Sequence, residues 1–166
     1  MAEKKDESLA EKAGKYLTFT LGDEVYGLEI LKVQEIIGMM SVTRVPRTPD
    51  FIRGVINLRG KVIPVVDLRI KFGLDAKDDT EKTVIIVVQV IRDSQPVTMG
   101  TIVDEVSEVM DIEAGQIEPP PQLGADVDTD FILGMGKIAD KVVMLLDADK
   151  VLTGTEIELI DKFSQT

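Results

Sequence analysis

Laid against itself at an offset of 80 residues, the chain repeats Phe51, Ile52, Gly54, Lys61, Val62 and Asp67 as Phe131, Ile132, Gly134, Lys141, Val142 and Asp147. At an offset of 73, Gly27, Val33 and Glu35 recur as Gly100, Val106 and Glu108. An ordered set of matches points to a duplicated unit. The segments that carry it are short apolar runs broken by turn residues, "GVINLRGKVIPVVDL" first and "FILGMGKIADKVVMLLD" second, and each reads as a hairpin. The expectation is an all-β chain of two related units, each roughly 65 to 80 residues and each a small barrel. A length of 166 residues suits one core or two small fused ones.

The remaining segments fit that frame. "YLTFTL" alternates Tyr16, Thr18 and Thr20 with Leu17, Phe19 and Leu21, the period of a strand, and "GDE" turns the chain into "VYGLEI". "LEILKVQEII" is ambiguous between strand and helix, with Ile30, Val33 and the Ile36–Ile37 pair favouring strand. In "SVTRVPRTPDFIRG", Pro46 and Pro49 exclude a regular helix and force an extended crossing. "DLRIKFG" predicts a short helix capped by Asp67 and ended by Gly73, followed by an acidic connector. "TVIIVVQVI" and "VTMGTIVDEVSEVMDI" are a second set of strands, and "EPPPQLGADVDTD" is a Pro-rich loop. "TEIELIDKF" predicts a C-terminal helix, with Thr155 and Glu158 as a capping box and Ile157, Ile160 and Phe163 near one face. Residues 1–15 read as a flexible tail. The rest reads as one domain of two barrel subdomains, about 16–80 and about 81–150, plus the C-terminal helix.

Composition then removes whole classes of chemistry. Without cysteine or histidine there is no thiol nucleophile, no imidazole base and no Cys or His metal ligand. With 30 acidic against 19 basic residues the net charge is -11, which disfavours nucleic acid and anionic membranes as partners. The longest apolar stretch, residues 83–91, is about half the roughly 20 residues of a spanning helix, and the N-terminus has no apolar signal core. A cytoplasmic protein without direct membrane insertion is expected, and no cofactor or metal is called for. "DADK" at 147–150 lacks the glycine turn and distal glutamate of a Ca²⁺ loop, and "GMG" at 134–136 lacks the continuation of a phosphate loop. Glu29 and Glu35 as an acid/base pair would suit a small carboxylate-dependent hydrolase, the alternative reading; a solvated strand face accounts for them equally.

One position breaks the repeat. The first hairpin turns through Arg59 and Gly60, the second through Ala139 and Asp140. An arginine at that turn is either ordinary solvent-exposed decoration or a planar cation presented on a rigid mount, able to pair with a carboxylate. Glu35 in "KVQEII" is the partner to test, within the chain or across an interface. Val33, Ile36 and Ile37 would add apolar surface beside the charges, which is an interaction site in outline.

In "TFTLGDEVYGLEILKVQEII", "VTRVP" and "FIRGVINLRGKVIPVVDLRIKFG" the sequence resembles the CheW family of bacterial chemotaxis coupling proteins, over nearly the whole chain from Tyr16 to about Phe163. The resemblance implies two intertwined five-stranded SH3-like barrels. It also implies a non-catalytic adaptor, recruited to membrane-associated arrays, that links methyl-accepting chemoreceptor tips to the regulatory domain of the histidine kinase CheA. Carried over by position, it implies a receptor side of Ile30, Val33, Glu35, Ile36, Arg59 and Val84. For the kinase side it suggests Val42, Thr43, Arg44, Val45 and Pro46 with Thr98, Met99 and Gly100.

Overall fold

The structure is a computed structural model and describes residues 12–74, 78–92, 94–120 and 131–151. The sequence-predicted C-terminal helix, with Thr155 and Glu158, lies outside the described residues, as does most of the N-terminal tail. In chain order the strands are β1 (Gly14–Leu21), β2 (Glu24–Glu29), β3 (Val33–Gly38), β4 (Ile52–Leu58), β5 (Lys61–Asp67), β6 (Val84–Arg92), β7 (Gln95–Val103), β8 (Glu105–Ile112), β9 (Ile117–Glu118), β10 (Ile132–Ile138) and β11 (Lys141–Leu146). A 3-10 turn at Ile30–Lys32 separates β2 from β3, so the ambiguous "LEILKVQEII" is two strands joined by a corner. Helix α1 (Leu68–Lys71) follows β5; the Asp67 side chain accepts the Arg69 amide proton at its start, and Gly73 leaves it at φ 76.

Two sheets result, ordered β8-β1-β2-β11-β10-β9 and β3-β6-β7-β5-β4. If β1 to β5 are matched with β6, β7, β8, β10 and β11, the second order becomes the first five strands of the other. Each sheet takes two strands from one repeat and the rest, three in one sheet and four in the other, from its copy, so neither half of the chain forms a sheet alone. The match extends to register. Ile52 pairs with Val66 and Gly54 with Val65 across a bulge, as Ile132 pairs with Leu146 and Gly134 with Leu145. Thr43 bridges Val55, and Glu118 pairs with Met135 at the corresponding place. The recurrence of Gly27 at Gly100 has its reason in the two parallel crossings, where Leu145 pairs with Gly27 and Val65 with Gly100. A methyl group on Gly100 would stand 2.7 Å from Ile85 Cγ2, and one on Gly27 would stand 3.3 Å from Leu145.

The exchange buries both faces of the inner strands. Within β6, Ile85 and Val87 line the interior of the five-stranded sheet with Ile56, Ile63 and Ile102. The alternating Ile86, Val88 and Val90 join Leu17, Phe19, Leu28 and Leu146 in a core between the sheets. Tyr16, Ile112, Val143 and Leu145 fill the interior of the six-stranded sheet. This explains the unbroken apolar run in "VIIVV": a strand buried on both faces has no polar side to alternate with. Each such side chain contributes about 1.5 to 3 kcal/mol.

Ionic ties cross between the sheets at related places. Arg69, 1% exposed, donates to both carboxylate oxygens of Asp67, to Asp79 and to Asp104. Asp104 in turn accepts the Gly22 amide proton from the β1–β2 turn of the other sheet. Burial opposes the Arg69 charge, but the hydrogen bonds it donates to Asp67 lead the causes that push its pKa above the ordinary value. In the second unit the position of Arg69 is held by Asp149, whose amide also caps back to its aspartate two residues earlier, Asp147, at 3.0 Å. Asp149 receives Lys32 Nζ at 3.0 Å and the Ile91 amide at 2.8 Å. The tie is repeated with its charges exchanged. Nearby Glu29 is raised above the usual carboxylate range, first by burial, then by Asp147 and Asp149, against Lys32.

Two outcomes follow for stability. Arg69→Met leaves Asp67 buried without its principal countercharge and is expected to cost about 3 kcal/mol or more in urea unfolding. Because folded Glu29 holds its proton to higher pH than the unfolded chain does, its contribution is lost as pH rises from the ordinary glutamate pKa through the folded one. Glu29→Gln is therefore expected to gain in melting temperature over the parent at pH about 7 and not at pH about 4, read by thermal unfolding at both.

Candidate functional site

The β4–β5 turn consists of Arg59 and Gly60, both at positive φ, 53 and 87. That is the two-residue geometry matching the twist of a hairpin, and the Asn57 side chain secures it by accepting the Gly60 amide proton at 2.8 Å. A left-handed arginine costs about 1 kcal/mol. Ala139 has φ 55 at the same place in the second hairpin, so the conformation belongs to the turn and the arginine is what one copy adds.

Glu35 reaches this turn because of a bulge. Val33 pairs with Val88 but Glu35 pairs with Val87, so the strand gains one residue at Gln34 and its faces exchange there. Val33 and Ile36 thus lie on the face toward the core between the sheets, while Glu35 and Ile37 lie on the interior side of the five-stranded sheet. Since β3 and β4 are the two edges of that sheet, a contact between Glu35 and Arg59 closes it across its seam. Arg59 Nη2 donates to both Glu35 oxygens at 2.7 Å. The pair uses one guanidinium nitrogen, and the remaining N–H groups of Arg59 point to no acceptor among the described residues. With the arginine side chain 70% exposed, such a bridge is worth about 1 kcal/mol or less, enough to fix a direction and too little to hold the fold.

The six expected receptor-side residues therefore fall on two faces. Ile30, Val33 and Val84 pack against the edge of the core between the sheets, with Ile36 outside them at 44% exposure. Glu35 and Arg59 stand at the seam on the other face. Leu31, 93% exposed, follows Ile30 in the chain, and no sequence signal separated it from its partly buried neighbours. Nor does anything in "KVQEII" announce the bulge, which follows from pairing with β6.

The expected kinase-side residues divide as well. Thr43 exchanges two hydrogen bonds with Val55, of 2.9 and 2.8 Å, and Val42 packs on the interior cluster of the five-stranded sheet, so this segment lies along the outer edge of β4. Thr98, Met99 and Gly100 are on β7, with β5 and β4 in between. Thr98 is partly exposed. Met99 is 3% exposed in the core between the sheets, and Gly100 is buried at the parallel crossing, so these two present no surface. β7 is central, a placement its alternation did not reveal.

Residues 15–156 match the family model of the CheW-like domain. The chain belongs to the CheW family. It is 42% identical to the chemotaxis protein CheW of Klebsiella aerogenes, over 92% of this chain and 89% of that protein. It is 35% identical to the Bacillus subtilis CheW, over 83% of this chain and 86% of that one. Among solved structures, the scaffolding protein TtCheW of Thermoanaerobacter tengcongensis matches with a TM-score of 0.76 at 38% identity, covering 87% of this chain and 95% of that one. Family membership makes this chain a non-catalytic chemotaxis adaptor and sets aside the hydrolase reading. Among the described residues no helix is long and apolar enough to cross a membrane.

The placement of the 42–46 segment depends on Gly54, at φ 144, where a methyl group would stand 2.1 Å from the Thr43 carbonyl oxygen. Gly54→Ala is expected to lift this segment from β4. The sign would be at least tenfold faster hydrogen exchange at the Thr43 and Val55 amides, with a lowered melting temperature.

Proposed function

We propose that this CheW-family chain couples the cytoplasmic tips of methyl-accepting chemoreceptors to the regulatory domain of the histidine kinase CheA, so that receptor state controls kinase activity. The observation that carries the reading is the Glu35–Arg59 bridge across the seam of the five-stranded sheet, with Ile30, Val33, Ile36 and Val84 forming an apolar strip on the other face of the same edge. A receptor's helical hairpin tip would lay apolar side chains on the strip while the charged pair sets its register, and the uncommitted N–H groups of Arg59 would meet a carboxylate or carbonyl of the tip. The kinase side is assigned to Val42–Pro46, with Thr98 at a distance; Met99 and Gly100 act there only by holding β7 in place. The adaptor would work at the cytoplasmic face of receptor arrays. It transfers no group: its effect on the kinase is a difference in contacts between receptor states.

Receptor arrays reconstituted with the kinase test this. Arg59→Ala and Glu35→Ala are each expected to keep the parent's unfolding free energy within about 1 kcal/mol, to retain binding to the isolated kinase regulatory domain, and to lower receptor-dependent kinase activation at least tenfold. Normal activation with both variants would remove the pair from the receptor site.

A further inference from the structure

Between the six-stranded sheet and helix α1, which follows β5 of the other sheet, the chain leaves a cavity of about 390 Å³. That lies within the range of about 300 to 1,000 Å³ typical of small-molecule sites. Tyr26 of β2 and Met144 of β11 come from the sheet, Phe72 from the end of α1, and Phe131 and Val151 from the two ends of the second hairpin. A stack of rings runs into this wall. Phe19 packs on Tyr26, Tyr26 on Phe72 and Phe72 on Phe131, with centroids 6.0, 5.7 and 5.2 Å apart. Of the chain's five phenylalanines and two tyrosines, four stand in this stack, so a scarce aromatic surface is concentrated at one place. Barrel building does not demand it. Gly27 recurs as Gly100, so Tyr26 corresponds to Met99, which is 3% exposed in the core between the sheets.

The charged groups at the cavity are of one sign. Lys71 and Lys150 line it, and among the described residues no aspartate or glutamate does, although the chain carries a net charge of -11. Lys71 sets its ammonium 4.7 Å over the Phe51 ring, while Lys150 has no ion-pair partner among the described residues. The Tyr26 hydroxyl has no hydrogen-bond partner among them either. Since no unpaired side-chain polar atom among the described residues is sealed from solvent, this hydroxyl is open to a ligand. Burial first and Glu24 second hold its pKa above the ordinary value, so it keeps its proton and can donate. Aromatic faces beside an unpaired ammonium and a free hydroxyl suit a flat apolar molecule with one negative end. A neutral hydrocarbon would leave both donors unused, and a cation would meet two lysines.

We propose that this cavity is a binding site for a small aromatic carboxylate, its ring against Phe72, Phe131 and Met144 and its carboxylate at Lys150 and the Tyr26 hydroxyl. The site shares no residue with the receptor and kinase surfaces and does not draw on the coupling reading. Its walls come from both repeats, so an occupant joins α1 to β11 across the boundary between the sheets.

Indole-3-acetate is the probe for the test, because the chain has no tryptophan and all indole fluorescence comes from the ligand. Titration with the full chain is expected to give a dissociation constant below about 1 mM for the acid. The uncharged analogue tryptophol is expected to bind about tenfold more weakly. Tyr26→Phe keeps the ring stack and Lys150→Gln changes an exposed side chain, so both variants are expected to fold as the parent does. Each is expected to weaken binding of the acid about threefold or more. NMR of methyl-labelled methionines is expected to show the Met144 methyl shifted by the ring current of the bound indole. The proposal is overturned by absence of saturation up to about 10 mM acid, by equal affinity for acid and alcohol, or by unchanged affinity in both variants. Indole binding that leaves the Met144 methyl in place would overturn it as well.

Discussion

The guanidinium of Arg69 is the point on which the two sheets depend. It is buried, it belongs to the helix that ends the first repeat, and its bonds run to Asp67 beside it, to Asp79 and to Asp104 at the start of the other sheet's territory. An isolated charge in that position would be untenable; three carboxylates and a capped turn make it tolerable, and they do so only when both sheets are in place. The apolar core between the sheets supplies most of the stabilisation, and the buried ionic cluster adds contacts with a fixed direction. The Arg69 cluster, through Asp104 and the Gly22 amide, and its counterpart at Lys32–Asp149, through the Ile91 amide, tie the two sheets together at related places. Because the two ties carry opposite arrangements of charge at related places, each repeat is steered to its proper half.

On this frame the chain has two versions of one surface. Both units have a hairpin turning at a left-handed residue, an edge strand with a glutamate at the corresponding position, and an exposed valine just after the turn, Val62 and Val142. One of them has Arg59 where the other has Ala139. Duplication built the scaffold twice, and a single side chain distinguishes the copy with a closed ionic seam. An adaptor of this kind needs no reactive group. It needs surfaces held at fixed separation, and strand exchange provides that, because neither barrel can tilt without breaking pairing in both sheets.

The bulge at Gln34 shows how local geometry divides a surface. It places Glu35 with the turn of β4 and leaves Ile36 with the apolar strip, so a charged contact and an apolar one stand on opposite faces of the same edge strand. At the edge of β4, Gly54 allows the 42–46 segment to lie against the strand, with Arg44 inside that segment and Arg47 just beyond it. The two edges of one barrel thus offer contacts of different chemistry.

The repeat, the all-β class, the hairpins at 54–67 and 131–147 and the Asp67 cap were legible in the sequence, because each rests on short-range spacing or on residues recurring in order; Glu35 was named as the partner to test for Arg59, but whether the two meet within the chain was decided only by the closing of β3 against β4. The family itself was legible in "KVQEII" and "NLRG". What the chain order hid was partnership: β1 and β2 complete the sheet of β10 and β11, Met99 and Gly100 are interior, and Val33 and Glu35 face opposite ways. Alternation and turn residues report on one strand and its nearest neighbour along the chain. Which strand lies on the other side, and whether an extra residue is needed to meet it, is settled only when distant segments compete to bury both faces of the same apolar strands.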